Sequence, residues 1–238
     1  MIPANHTWWA DKVFEIYLRR LLKQYFHAIR MFDDLPEIDP RYPLILVPNH
    51  STWWDGFFIY WLNKKFFRRR AYLMMLQAQL QKYLFFARIG AYSVEPANPK
   101  KILESLRYTL NIMQDGGEDP PLICIFPQGE LLPWSRRPLN LKRGIDWLIT
   151  HYRQPVNLLP LAMKAEFGGE QKPEAFFLFG QNRIVDLNRF HGMQWLEQTL
   201  SSLLNELDAQ LAAGAKSQLL FAGSSSINTR LDRMLGKQ

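Results

Sequence analysis

The segment Asn49-His50-Ser51-Thr52-Trp53-Trp54-Asp55-Gly56 sets an imidazole five positions before a carboxylate, directly after the apolar run Leu44 to Val47. At a strand-to-helix junction such a pair can couple, because the loop projects His50 from the strand end and the first helical turn brings Asp55 behind it. A carboxylate on one ring nitrogen fixes the tautomer and leaves the other nitrogen open to take a proton. The segment therefore offers a base but no nucleophile. Ser51 adjoins His50, and neighbours in sequence rarely reach the geometry of a Ser/His pair, so the nucleophile is expected to be a hydroxyl of the substrate. Spacing alone is weak support, since unrelated His and Asp residues often fall this far apart by chance.

A second segment, Phe126-Pro127-Gln128-Gly129-Glu130, closes another apolar strand, Leu122 to Phe126. In open α/β sheets ligands collect beyond the carboxyl ends of strands, so the two segments can meet at one site. Pro127 and Gly129 shape a turn whose backbone N–H groups can face an anion or a developing oxyanion. The plain alternative is an ordinary strand-ending turn.

The elements that must hold these segments read as strands alternating with helices. Strands are predicted at 44–47, 71–75, 92–94, 122–126, 157–163, 175–179 and 183–187, and helices at 54–63, 78–88, 99–114, 141–151 and 193–213. This alternation predicts a single α/β domain, a mixed and largely parallel sheet flanked by helices, over residues 36–238. Residues 1–35 are expected to form an N-terminal amphipathic helical region. Within it Phe14, Tyr17, Leu18, Leu21, Leu22, Tyr25 and Ile29 recur at helical spacing from Asp11 to Met31, interleaved with Lys12, Arg19, Arg20, Lys23 and Arg30. Such a helix suits the interface of a bilayer, and equally suits packing on the domain with a solvated basic face. Residues 116–121 should turn before the Leu122 strand, and the chain after Gly214 should be a polar tail or a short final helix.

The 238 residues are 47% hydrophobic and 21% charged, which is the composition of a folded globular chain. A net charge of +7 admits nucleic acid, anionic lipid or an acidic carrier as partner. The 14% aromatic content, with Trp and Tyr mixed among Lys and Arg, favours a headgroup layer. No RNA- or DNA-binding motif is present, so a nucleic-acid module is not expected. The single Cys124 lies in an apolar strand and is expected to be a buried small hydrophobe. His6, His27, His151 and His191 stand apart from one another, so no metal site is expected. Neither a leader peptide nor an apolar run of about 18 residues is found, which predicts membrane contact from one side.

Taken together the segments resemble the glycerolipid acyltransferase family, from about Pro43 to Met163. His50 and Asp55 are similar to its Asn-His-x4-Asp motif, and Phe126, Pro127 and Gly129 to its Phe-Pro-Glu-Gly block. Leu141-Lys142-Arg143-Gly144 resembles the following basic-Gly step, Leu158-Leu159-Pro160-Leu161 the late strand motif, and the stretch from Phe85 to Glu95 the acceptor-side motif. The resemblance implies an O-acyltransferase with His50 as base and Asp55 behind it. It implies acyl-CoA or acyl carrier protein as co-substrate, with no metal and no bound cofactor. Asn49, Phe126, Pro127, Gln128, Gly129, Glu130, Arg88, Lys142 and Arg143 are the implied substrate-binding residues. A peripheral protein on the cytoplasmic face of a membrane is the implied setting.

The departures concern the acceptor. Pro96 stands where the acceptor-side motif ends in Arg, and Glu130-Leu131 where the block continues Thr-Arg. A guanidinium fork for a phosphate is not easily replaced. Arg88, Arg136, Arg137, Lys142 and Arg143 are the nearby candidates to compensate. Otherwise the acceptor is a phosphate-free lipid such as a glycolipid or a hydroxylated isoprenoid. A third possibility is a lipid-binding protein on the same scaffold without activity. The aromatic run Trp53, Trp54, Phe57, Phe58, Tyr60 and Trp61 suits either an acyl groove or a core-packing helix. The run from Lys64 to Arg70 suits docking of anionic lipid or of an acidic carrier, or a solvated basic turn.

Overall fold

A computed structural model describes residues 1–116 and 119–224. Gly117 and Glu118 of the predicted turn, and the tail after Ser224, lie outside the described residues. The chain forms one α/β domain around a 9-stranded sheet. In chain order the strands are β1 Ala28–Phe32, β2 Leu44–Pro48, β3 Ala71–Leu76, β4 Ala91–Val94, β5 Leu122–Cys124, β6 Val156–Glu166, β7 Glu174–Phe179, β8 Arg183–Val185 and β9 Gln218–Ala222. The helices are α1 Trp8–Tyr25, α2 Asp55–Leu62, α3 Gln77–Lys82, α4 Pro99–Asp115, α5 Gly144–Tyr152 and α6 Gly192–Ala212.

The sheet runs β4-β3-β5-β2-β6-β7-β1-β9, with β8 paired to the start of β6. From β4 to β6 all neighbours are parallel, and β7 turns the direction by pairing antiparallel with β6. β2 sits centrally and every residue of it is buried, as a strand covered on both faces requires. Its even-numbered side chains, Leu44 and Leu46, pack with Phe14, Leu18, Phe58 and Leu62 of α1 and α2. Ile45 and Val47 face the opposite layer, among Leu106, Ile145, Leu148 and Leu196 of α4, α5 and α6. α4 starts cleanly because the Asn98 side chain accepts from the N–H groups of Lys100 and Lys101, with Pro99 in the first turn.

The N-terminal region departs from its prediction. The helix ends at Tyr25, and residues 28–32 form a strand inside the sheet, parallel to β7 and antiparallel to β9. Tyr25 and Ile29 keep helical spacing, but Ala28, Ile29, Met31 and Phe32 are all buried, which a strand enclosed by two neighbours satisfies. The first 35 residues thus supply a layer and a strand of the domain rather than a purely helical region. β9 likewise replaces the expected tail. Gly223 follows it with so close a passage that a Cβ there would lie 1.7 Å from the Phe26 carbonyl oxygen. The predicted helix 78–88 divides into α3 and a 3₁₀ turn, Leu84–Ile89.

Candidate active site

β2 carries His50 just beyond its carboxyl end, and Asp55 opens α2. The Asp55 side chain is buried, and its Oδ2 accepts from His50 Nδ1 at 2.9 Å, Ser51 N at 2.7 Å and Thr52 N at 2.9 Å. Its Oδ1 accepts from the Thr52 hydroxyl at 2.5 Å. A carboxylate receiving this many donors holds its loop rigidly, and it sets the His50 proton on Nδ1. Nε2 is then the unprotonated nitrogen. The ring is further held by Phe126, stacked at 4.1 Å between centroids and 21° between planes.

The second segment clamps the backbone of the first. Gln128, only 2% exposed, accepts from His50 N through Oε1 at 2.5 Å, and Leu132 N donates to His50 O at 2.9 Å. Gln128 is therefore packed beneath the His50 loop and holds its backbone through Oε1. Asn49 is also buried. Its Oδ1 accepts from Met163 N at 2.7 Å, and its Nδ2 donates to Met163 O at 3.0 Å and Ser51 Oγ at 3.2 Å. This side chain extends the pairing of β2 with β6 where the backbones diverge, so it cannot also bind substrate. The expectation that Asn49 contacts substrate is corrected on these grounds: both of its polar atoms serve the loop and β6.

Pro127 is buried, and its carbonyl accepts from Lys142 N at 2.7 Å. Gly129 has φ +74°, a conformation that favours glycine, and its N–H donates to Phe126 O at 3.1 Å. That N–H closes the turn and is not available to an oxyanion. The exposed Lys142 lies along Gly129, its Cγ 3.5 Å and Cε 3.8 Å from where a Cβ would stand. Glu130 and Leu131 are exposed beside it.

The arginines are placed differently. Arg88 precedes β4, at the rim opposite His50, and its guanidinium lies over the Trp9 ring at 5.0 Å. It does not join the site. Arg143 is exposed and paired with Asp146 at 2.8 Å. Arg137 donates to the carbonyls of Trp134 and Arg136 and to Asn205. The Lys64–Arg70 run also lies at the far rim, entering β3, with Lys64 paired to Asp11 and Arg69 directed onto the carbonyls of Tyr42, Pro120 and Asp39. Of the aromatic run, Phe58 joins the core, whereas Trp53 is 65% exposed beside His50. Cys124, beneath the site, is buried, and that burial, with the charge of Asp55 added, pushes its thiol well above the usual range. It cannot act as a thiolate nucleophile.

These features define a hydrogen-bonded His–Asp pair mounted at the carboxyl edge of a mostly parallel sheet, with two strand-end loops locked together. The chain belongs to the Acyltransferase family, whose sequence profile matches residues 29–164. The resemblance carried by the sequence blocks is thereby borne out. Among solved structures it is similar to the crystal structure of the 1-acyl-sn-glycerophosphate (LPA) acyltransferase, PlsC, from Thermotoga maritima. The two share 14% sequence identity and a TM-score of 0.57, over 85% of this chain and 80% of that chain. No curated protein sequence matches the chain.

Proposed function

We propose that this acyltransferase moves a fatty acyl group from an acyl thioester, on coenzyme A or acyl carrier protein, to a hydroxyl of a lipid acceptor at a membrane surface. The observation that carries the reading is His50 Nδ1 held on buried Asp55, with no partner on Nε2 among the described residues. Nε2 takes the proton of the acceptor hydroxyl as its oxygen forms a bond to the thioester carbonyl. The tetrahedral intermediate then collapses, the C–S bond breaks, and the imidazolium returns the proton to the departing thiolate. The oxyanion takes its donors from N–H groups after Gly129, since that of Gly129 is engaged. A carrier-bound donor would have to reach the His50 rim. The Lys64–Arg70 run is separated from that rim by the depth of a six-residue strand, roughly 20 Å, which argues against it as the carrier dock.

For the acceptor, the disposition of charge favours a phosphate-free lipid. Arg88 sits at the other rim, Arg143 and Arg137 are engaged, and the exposed carboxylate of Glu130 follows the Gly129 turn. Lys142 borders that turn, and Arg136 is exposed in the loop that follows it. No helix among the described residues is long and apolar enough to cross a membrane. We place the protein peripherally, on the cytoplasmic face where acyl thioesters are made.

The test is transfer from labelled acyl-CoA or acyl carrier protein to lysophosphatidic acid, neutral lysolipids, glycolipids and hydroxylated isoprenoids, with His50→Ala as control. Transfer confined to phosphate-free acceptors is the expected result. Transfer to lysophosphatidic acid that depends on Lys142 would reverse the acceptor assignment, and no transfer with any donor would sink the enzyme reading.

A further inference from the structure

Gln128 is almost wholly buried, yet only half of its amide is used. Oε1 accepts from His50 N at 2.5 Å, while Nε2 has no hydrogen-bond partner among the described residues. Nor is Nε2 sealed from solvent: the sealed side-chain atoms without a partner are Thr7 Oγ1, Arg137 Nε and Asn182 Oδ1. The orientation of the amide follows from the hydrogen bond, since exchanging its oxygen and nitrogen would press two donors together. A donor with two protons and no acceptor is costly in so buried a side chain, and native proteins seldom keep one without use.

The neighbouring residues place that donor. Phe126 stacks on the His50 ring, and Leu132 N donates to His50 O at 2.9 Å. The segment 126–132 therefore wraps His50 on its ring, its amide and its carbonyl, with Gln128 inside the wrap. Nε2 shares a carbon with Oε1 and so stays beside the same peptide. Within the turn Gly129 N is spent on Phe126 O, but Glu130 N and Leu131 N make no hydrogen bond among the described residues. Three unpaired donors thus share one turn anchored to His50 at both ends. The exposed carboxylate of Glu130 is the one negative group carried by that turn.

We propose that Gln128 Nε2 donates to the acyl carbonyl oxygen as it becomes an oxyanion, which makes Gln128 a catalytic residue of the transfer. The assignment rests on the acyl-transfer reading. As the acceptor oxygen bonds to the carbonyl carbon, the π pair moves onto the carbonyl oxygen. A fixed amide dipole then gains in interaction as that charge grows, without having to reorient. On collapse the pair re-forms the carbonyl and the thiolate leaves. One planar group sets the spacing of the parts, because Oε1 holds the peptide of the base while Nε2 faces the oxyanion. The ionised Glu of the motif that this block resembles would accept from His50 N equally well, but it has no proton to give.

The test compares Gln128→Glu, which keeps the acceptor and loses the donor, with Gln128→Met, which loses both. Single-turnover transfer is measured at saturating donor and acceptor, on the high-pH plateau where His50 is neutral. Both variants should fall by roughly 10²–10³, while a thioether analogue of the donor, which has no carbonyl oxygen, should bind each as it binds the wild type. A second measurement needs no variant. The Gln128 side-chain amide signals, assigned through their bonds to the Gln128 backbone, should move when the wild type binds a trifluoromethyl ketone analogue, whose hydrate mimics the tetrahedral centre. The thioether should leave them in place. A wild-type rate in Gln128→Glu beside a slow Gln128→Met would make the side chain a strut for the loop and overturn the proposal. Amide signals that ignore the ketone would overturn it too. A wild type that transfers from no donor would sink the acyl-transfer reading itself, whereas an active wild type with an active Gln128→Glu sinks only the role of the amide.

Discussion

His50 and His6 are both partly buried imidazoles at strand ends, and they differ in what their second nitrogen meets. His50 sits at the carboxyl end of β2 with Nδ1 on a carboxylate and, among the described residues, no partner on Nε2. His6 sits beside the start of β3, with one nitrogen on the Ala71 carbonyl at 2.9 Å and the other receiving Arg70 Nε at 3.4 Å. Its ring meets Tyr72 edge-on. Burial pushes the His6 pKa below its ordinary 6.5, opposed by the Ala71 carbonyl and aided by the Arg70 charge. The comparison teaches that burial alone makes a neutral clamp of a histidine. A base needs a carboxylate on one side and a vacancy on the other.

The largest expected effect breaks the pair at its active member. His50→Ala should lower the transfer rate by roughly 10²–10⁴, the usual share of a general base, while His6→Ala should leave the rate constant per folded molecule unchanged. Stopped assays at saturating donor, corrected for folded fraction, decide this. An equal loss in both variants would erase the distinction.

Asp55→Asn should come next. The amide cannot accept all of the bonds that Oδ1 and Oδ2 receive from His50, Ser51 and Thr52. Thermal unfolding should show a cost of about 1–3 kcal/mol for the unpaired donors. The transfer rate should fall further than that loss of folded protein explains, because the tautomer is no longer fixed. A rate loss fully accounted for by unfolding would deny Asp55 its positioning role.

Gln128→Glu sharpens the comparison from the side of charge. A neutral acceptor now holds His50 N. A carboxylate in its place would favour the imidazolium, so the acid limb of the pH–rate profile should move upward. Gln128→Ala should lower the plateau without moving the limb. If Gln128→Glu leaves the limb where it was, the side chain is not in electrical contact with the base.

The smallest effect belongs to the clamp. The folded-state pKa of His6 lies below its unfolded value of 6.5, so the unfolded chain binds the extra proton first. The stability His6 supports is present above about pH 6.5 and declines as pH falls below it. His6→Gln should therefore flatten the fall of Tm between about pH 7 and pH 5 relative to the wild type. Parallel curves for the two proteins would show that His6 is not titrating across folding.

The same contrast explains what was legible beforehand. His50 and Asp55 lie within one loop and one helical turn, so local spacing placed them correctly in contact. Asn49 and Gln128 are polar neighbours of that chemistry, and a list of residues cannot tell a ligand from a side chain that completes the backbone's hydrogen bonds. Arg88 was named because it falls within a motif stretch, yet it emerges at the entry of β4 instead of the exit of β2. The β1 strand was hidden because Tyr25 and Ile29 continue the spacing of α1, and β9 because its edge pairing is made with a strand nearly 200 residues away.

By itself the sequence determined the α/β class, the central apolar strands and the pairing of His50 with Asp55. Each rests on periodicity or on groups a few residues apart, where chain geometry leaves little freedom. Only the tertiary structure decided which polar side chains are locked beneath the loop, which cations stand at which rim, and which side of α1 stays bare. Those depend on long-range strand order and on the pairing of every buried donor and acceptor, and no local pattern encodes either.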